Sequence, residues 1–420
     1  MAARPKVVLV GGGFAGLEAA FLLRMRLHDA VDMTLVSDRE TWVFKPNSIY
    51  IPFGAEPESL LVDLDHPLKK RNIAFHEAQI KEVDADSKHV AFGDGTTLPY
   101  DFLVLATGSG MRPEEIPGLE EHTESIWTSD EMLHLRAALQ SLKDRAARGE
   151  EQEVLFLVPP NNKCAGPLYE MVFMLETWLR REGVRDRISI TYSTYEHTFI
   201  QAFGPRLHEV VTTEFAERGI EGHNDEVVTE VADGEARYAS GVTRHYDTLI
   251  SFPPYISAVT YEGLPHDDRG FLQTELESRQ VEGHPDIYAP GDAGDFPVKQ
   301  AFLAFLQADA VAEHISGQVE GRAPRTVFDP VSMCIMEMLD KAAFAQVPLR
   351  LTGDPARPIE VRPDSDGLYK VGVSPVWRLG KKMLGAVIPI RFHAGEPFHA
   401  GTAWQLMDFG LKGMKGVLAD

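Results

Sequence analysis

The sequence predicts an α/β protein with two Rossmann-like dinucleotide-binding domains, followed by a C-terminal amphipathic membrane-interface segment. Three observations predict it. Two strand-like runs, 7–10 and 153–158, each lead through a turn into a helix-length segment and then a second strand. The first of those turns reads Gly11-Gly12-Gly13-Phe14-Ala15-Gly16. Residues 369–420 then turn basic and apolar on a chain of 420 residues with a formal charge of −22. That length exceeds what one hydrophobic core organises, so two or three domains are expected.

Residues 7–10 are apolar throughout, as in a strand covered on both faces of a parallel sheet. Gly11 permits the tight turn, Gly13 lets a pyrophosphate approach the backbone, and Gly16 lets helix and strand pack closely. Residues 17–27 read as the helix whose N-terminus faces the phosphates, and 33–36 as the second strand. In this setting the glycines predict dinucleotide binding and not merely a turn. Residues 94–101 form a hairpin and lead-in to a strand at 102–106, which ends in Thr107-Gly108-Ser109-Gly110. Residues 112–118, rich in proline and glutamate, read as a linker. The second unit comprises a strand at 153–158, a turn at 159–166, a helix at 167–182 and a strand at 188–192. Leu168, Val172, Leu175 and Leu179 mark the buried stripe of its helix. A strand at 286–289 then runs into Pro290-Gly291-Asp292-Ala293-Gly294-Asp295, with helix from 301 to 316. The expected domains are 1–112 with 265–330, then 113–264, then 331–420.

Composition narrows the function. With 63 acidic against 41 basic residues, general nucleic-acid binding is excluded, because phosphates need a basic footprint. No apolar stretch reaches the ~18 residues of a spanning helix. Cys164 and Cys334 are the only cysteines, which excludes a disulfide-stapled scaffold and any multi-cysteine cluster; no metal centre is expected. Arg4 and Lys6 before the apolar stretch 7–23 could pass for a signal peptide. The glycines and Glu18 within it fit strand, turn and helix better, so the expectation is no export and a reducing cytoplasm.

GGGFAG (11–16), YDFLVLATGS (100–109) and IYAPGDAGD (287–295), in that order, resemble the FAD/NAD-linked flavoprotein reductases with two dinucleotide-binding domains. The resemblance covers residues 6–316 and implies FAD held by non-contiguous segments. It implies Gly291-Asp292 at the ribityl chain, Thr107-Gly108 against the cofactor and Ile80 beside the adenine. Phe44-Lys45-Pro46 lacks a cysteine for covalent attachment, so the FAD should be non-covalent. The acid that usually holds the adenosine ribose falls at Ser37, with Asp38 next to it. Within the superfamily, Ser37 resembles the sulfide:quinone oxidoreductases more than the NADH dehydrogenases.

A reductase fed by NAD(P)H should carry a second GxGxxG. Here that turn reads Pro159-Pro160-Asn161-Asn162-Lys163-Cys164-Ala165-Gly166. Two prolines and a lysine deny a second pyrophosphate its glycine-lined approach, so nicotinamide binding is read as lost. Segments 163–170 and 333–344 resemble the redox-cysteine segments of sulfide:quinone oxidoreductase and of flavocytochrome c sulfide dehydrogenase. The resemblance implies that hydrosulfide attacks a Cys164–Cys334 disulfide or polysulfide bridge, and that two electrons pass to FAD and on to a membrane quinone. It also implies that Cys334 is the cysteine nearer the flavin. Lys163 and the start of the following helix are expected to favour the Cys164 thiolate. Glu170 matches a family carboxylate that manages protons at the sulfur site, with a solvent-facing helix glutamate as the other reading. Lys299 matches a family lysine at the flavin's N1–C2 carbonyl edge, with a surface lysine as the other reading. Two departures stand out. Trp127 occupies the place of a third family cysteine, and Glu131 stands where a histidine is frequent. His197 reads as a surface histidine.

Residues 369–420 hold seven basic and three acidic side chains, leaving −26 on the rest. Residues 376–384 interleave apolar and basic side chains. Trp404, Met407, Leu411, Met414 and Leu418 recur at helical spacing beside Lys412 and Lys415, although Gly410, Gly413 and Gly416 weaken that helix. The expectation is a peripheral protein resting on anionic lipid at the cytoplasmic side of a membrane. Phe344, Phe392, Trp404 and Phe409 are the candidate quinone-wall residues. A dimer-forming or core-covering helix is the competing reading, and homo-oligomerisation stays open. The expected partners are sulfide, a quinone and a bilayer surface. The alternatives are a type II NADH:quinone dehydrogenase, or a non-catalytic flavin-binding or redox-sensing protein.

Overall fold

The computed structural model describes residues 3–355, 357–363, 365 and 367–419. The first apolar run forms β1 (Lys6–Val10), and the glycine turn leads into α1 (Phe14–Leu27), capped by Gly13 itself. α1 is buried on nearly every side because it lies along a second helix described below. β2 (Asp32–Ser37), β3 (Ala74–Glu77) and β4 (Phe102–Leu105) follow; β1 pairs in parallel with both β2 and β4, and β2 with β3. β5 (Ser109–Met111) leaves this sheet. Residues 112–118 are pinned and not a loose linker. The Arg112 N–H donates to the Pro254 carbonyl at 2.8 Å, and Glu115 is ion-paired to Arg269 at 2.7 Å.

The second unit holds β6 (Glu124–Ser125), α2 (Ser129–Ala147), β7 (Gln152–Val158), α3 (Gly166–Arg181), β8 (Ile188–Thr194), β9 (Ile220–His223) and β10 (Thr248–Ser251). Its five strands run in parallel in the order β6-β10-β7-β8-β9. The expected stripe of α3 is fully buried, but Tyr169, Glu170, Met171, Phe173 and Glu176 are buried as well. The stripe was therefore too narrow an expectation: a third sheet covers the opposite face of α3. β11 (Tyr255–Ser257) pairs antiparallel with β5, tying the two units together.

β12 (Gln280–Val281) and β13 (His284–Tyr288) return to the first sheet, whose order is β12-β13-β4-β1-β2-β3, and α4 (Ala301–Glu320) packs along α1. That sheet is thus assembled from two stretches of chain separated by the whole second unit. The C-terminal part is more than an amphipathic segment. β14 (Val331–Glu337), β15 (Ala342–Leu351), β16 (Ile359–Val361) and β17 (Lys370–Ser374) form an antiparallel sheet in which β15 pairs with the other three. α5 (Pro375–His393) and α6 (Gly401–Leu418) complete it, and α6 runs on through Gly410, Gly413 and Gly416. Among the described residues no helix is long and apolar enough to cross a membrane.

Candidate active site

The glycine turn is shaped as a cradle. A Cβ on Gly11, whose φ is +112°, would meet the Ala106 carbonyl oxygen at 2.2 Å, and one on Gly16 would meet the Gly11 oxygen at 1.9 Å. A Cβ on Gly13 would find nothing nearer than Trp42 Nε1, at 3.9 Å, which leaves an approach open to the backbone. Ser37 ends β2 buried, its Oγ only 3.1 Å from a Cβ built on Gly12, whereas Asp38 is half in solvent and bonded to Arg39. Ile80 is half-buried at the start of its strand.

The other two motifs meet. Ser109 Oγ donates to Asp292 Oδ2 at 3.2 Å, and the Gly291 N–H donates to Gln307 Oε1 at 2.9 Å. Thr107 Oγ1 shares a hydrogen bond with the Tyr261 hydroxyl at 3.0 Å, and Gly108 at φ +80° has open space beside it. Burial pushes the Asp292 carboxyl upward, opposed by Lys299 and Lys45, and its Oδ1 has no hydrogen bond to a described residue. Open glycine backbone, a confined carboxylate with an unpaired oxygen and two nearby ammonium groups fit a bound FAD.

Lys299 is buried and not a surface lysine. Its Nζ donates to the Gly294 carbonyl and sits 3.8 Å from the centre of the Phe271 ring; burial pulls its pKa to about 7, against the pull of Asp292. Sequence reasoning missed its counterpart, Lys45. Its Nζ lies over the Trp127 ring, 2.8 Å from the centroid, and burial again lowers its pKa to about 7. Glu131 acts structurally, closing a capping box with Thr128 at the head of α2, and its Oε2 also accepts from the Trp127 N–H at 2.9 Å. His197 is exposed and paired with Asp225.

Both cysteines are free and half-buried. Cys164 lies in the loop before α3. Its N–H donates to Asn162 Oδ1 at 2.9 Å, and Asn162 Nδ2 donates to the Phe252 carbonyl at 2.8 Å. Cys334 is mid-strand in β14, opposite Ala345. The structure brings the two thiols, from positions 170 residues apart, within electrostatic reach of each other, with Asp292 in reach of Cys164 as well. Lys163 and the helix start do not deliver the thiolate expected of them. Burial pushes both thiols up, Cys334 to about 12, and Lys163 is not among the largest influences on Cys164. The Lys163 ammonium is turned toward the Phe271 ring, 5.6 Å away, and the Gly166 N–H that does favour the Cys164 thiolate is outweighed by desolvation.

Glu170 is buried, which raises its pKa, and its Oε1 accepts from the Lys381 ammonium and from the Glu337 N–H at 2.7 Å. Lys381 also donates to the Ile335 carbonyl at 3.0 Å, next to Cys334. Glu337 is fully buried and accepts from the Tyr50 hydroxyl at 2.6 Å and Arg378 Nε at 2.8 Å. Sequence reasoning missed Glu337, Tyr50 and Arg378; the only available signal was that Glu337 lies three residues after Cys334. It also read Arg378 and Lys381 as lipid-facing, whereas they turn inward onto these carboxylates.

The quinone-wall residues do not share one surface. Phe344 is sealed in a cluster with Trp377, stacked at 4.2 Å. Phe392 is sealed in another with Phe21, Trp42 and Phe305. Trp404 packs on Phe398 at the rim of that second cluster, and Phe409 is 77% exposed. The stripe from Trp404 to Leu418 faces the protein. A different apolar row, Leu406, Phe409 and Val417, points outward from α6, and Val376, Leu379, Met383 and Ile390 point outward from α5.

The pyridine nucleotide-disulphide oxidoreductase family matches residues 5–147. A sulfide-quinone reductase of Aquifex aeolicus is 32% identical over 220 residues, about half of each chain (51% of this one, 49% of that one). A type II NADH:quinone oxidoreductase of Staphylococcus epidermidis is 22% identical over 350 residues, covering 76% of this chain and 84% of that one. The crystal structure of the Aquifex aeolicus sulfide:quinone oxidoreductase superposes with a TM-score of 0.83 at 22% identity, covering 98% of this chain and 96% of that one. Fold and site together define an FAD-dependent oxidoreductase built on two dinucleotide-binding units. These likenesses support a relation to the sulfide:quinone oxidoreductases and to their flavoprotein relatives, the type II NADH:quinone oxidoreductases among them.

Proposed function

We propose that the chain oxidises sulfide at Cys164 and Cys334 and delivers the electrons through FAD to a quinone at a lipid surface. The observation that supports this reading is that α3, which follows the Cys164 loop, packs on β14, which carries Cys334, through the Glu337 N–H bond to Glu170, with each thiol in electrostatic range of the same carboxylate. The occupied second turn speaks against nicotinamide: Asn161 adopts φ +65°, its Nδ2 donates to Glu115 Oε1, and Tyr195 donates to the Asn162 carbonyl at 3.0 Å.

In the oxidised resting form the pair is a disulfide or polysulfide bridge. Hydrosulfide attacks one of its sulfurs; one cysteine becomes a persulfide and the other leaves as a thiolate. Bound FAD supplies a two-electron acceptor between this sulfur and a quinone. Gly11, Gly13, Gly16, Ser37, Ile80, Thr107, Gly108 and Asp292 would hold it. Lys299 and Lys45 would set positive charge beside its ring system. Because burial disfavours both thiolates, the freed sulfur needs a local proton balance. Glu170, with its raised pKa and Lys381 contact, is placed to hold that proton near Cys334. The outward apolar rows of α5 and α6 would rest in the lipid interface without spanning it.

Anaerobic mixing with sulfide, and separately with NADH, tests the reading through the flavin absorbance. Sulfide should bleach it and NADH should not, and Cys164→Ser or Cys334→Ser should slow bleaching by sulfide roughly a hundred-fold or more. Bleaching by NADH alone would make the chain a type II NADH:quinone dehydrogenase. Bleaching by sulfide that survives both substitutions would remove the cysteine mechanism.

A further inference from the structure

Tyr255 was not singled out by the sequence, and no step above uses it. It sits on β11, 3% exposed, and its hydroxyl makes no hydrogen bond to a described residue. Other buried tyrosines near the site are spoken for: the Tyr50 hydroxyl donates to Glu337, and the Tyr261 hydroxyl is paired with Thr107. Unlike the sealed hydroxyls of Tyr100, Tyr192 and Tyr238, the Tyr255 hydroxyl keeps accessible surface, so open space stands in front of it for an acceptor.

Its position says which group. The Tyr255 N–H donates to the Asn161 carbonyl at 3.1 Å, in the same loop whose Asn162 fixes the Cys164 N–H and the Phe252 carbonyl. The Tyr255 ring packs edge-on against Phe252 at 5.4 Å and Trp127 at 5.8 Å, and Trp127 and Phe252 lie 5.8 Å apart. Three aromatic rings thus form one wall beside the Cys164 loop. Trp127 is held in that wall by its N–H bond to Glu131 and by the Lys45 ammonium over its face. Separately, Cys164 and Asp292 both lie within electrostatic range of the Tyr255 hydroxyl. An apolar wall with one polar tip suits a soft anion that is otherwise poorly solvated.

We propose that the Tyr255 hydroxyl is a catalytic hydrogen-bond donor to a sulfur anion held at Cys164. This rests on the sulfide reading. The anion is either incoming hydrosulfide or the terminal sulfur of a persulfide on Cys164, and both present the same acceptor. No proton need leave the phenol; the hydrogen bond shortens when the negative sulfur arrives.

The test uses the FAD-loaded protein and Tyr255→Phe, which keeps the ring and removes the donor. FAD content and thermal midpoint should match the parent, showing that wall and cofactor are intact. Two arms distinguish the sources. In the first, sulfide is mixed anaerobically and bleaching is followed against sulfide concentration. In the second, Cys164 is loaded with inorganic polysulfide and the alkylation-trapped persulfide peptide is followed by mass spectrometry. Loss of a hydrogen bond to a charged acceptor should raise the half-saturating sulfide concentration, shorten the persulfide lifetime, or both, by roughly ten- to a hundred-fold. A change in the first arm alone assigns the donor to hydrosulfide, and in the second alone to the persulfide. If Tyr255→Phe equals the parent in both arms while the parent forms the Cys164 persulfide, the tyrosine inference is overturned and the sulfide reading stands. If the parent neither bleaches nor forms the persulfide, both fall together.

Discussion

At the residue scale, the sharpest consequences come from carboxylates that the fold buries. Glu18 is fully buried in α1 and accepts the N–H groups of Phe398 and His399 at 2.6 and 2.7 Å; desolvation raises its pKa from 4.5 to about 7. A raised carboxyl binds a proton in the folded state that the unfolded state releases between those values. Its stabilising contribution is therefore whole below about pH 4.5 and is lost as pH rises through about 7, by at most about 3 kcal/mol. Glu18→Gln should remove that slope: its thermal midpoint should fall less than the parent's between pH 5 and pH 8. Glu170 and Lys381 make a second test. Lys381→Met leaves a buried carboxylate without its cation and should cost roughly 3 kcal/mol in denaturant unfolding, while adding Glu170→Gln should restore much of it. The glycines, Asp292 and the two cysteines were readable because turn chemistry and motif order are local. Lys45, Glu337 and Tyr255 were not, because only the fold carries them from distant segments to the same sulfur and flavin turns.

At the element scale, periodicity found most strands and helices of the two nucleotide-binding units, with ends a few residues adrift. α1, for example, starts at Phe14 and not at position 17, because Gly13 is its cap. Periodicity could not show that α3 is covered on all sides, nor that 331–374 is a sheet, since a helix's second burial partner leaves no mark on spacing. α6 carries the clearest lesson. Two apolar rows share it: the row found from sequence faces the protein, and Leu406, Phe409 and Val417 face outward at 70%, 77% and 83% exposure. Replacing both Leu406 and Phe409 by Glu should therefore abolish sedimentation with lipid vesicles and leave the thermal midpoint within about 1 °C, because neither side chain packs in the core.

For the whole molecule, the charge division of −26 against +4 reads differently once the tail is folded. Arg378, Lys381 and Lys415 bond to Glu337, Glu170 and Gln346, and Arg391 holds the Pro397 and Ala400 carbonyls. Lys412 pairs with Asp408 on its own helix. Few cations remain for lipid headgroups, so apolar contact must supply most of any membrane affinity. Raising salt from 0.05 to 0.5 M should weaken binding to anionic vesicles by about ten-fold or less, where seven free cations would give a far steeper loss.

α5 gives these scales a common mechanical element. One side of it offers Leu379 and Met383 to the surroundings; the other hands Arg378 to Glu337, at the end of β14, and Lys381 to Glu170. One helix thus joins the outside of the protein to two buried carboxylates inside. Its outward row and its inward cations therefore cannot be repositioned independently of each other.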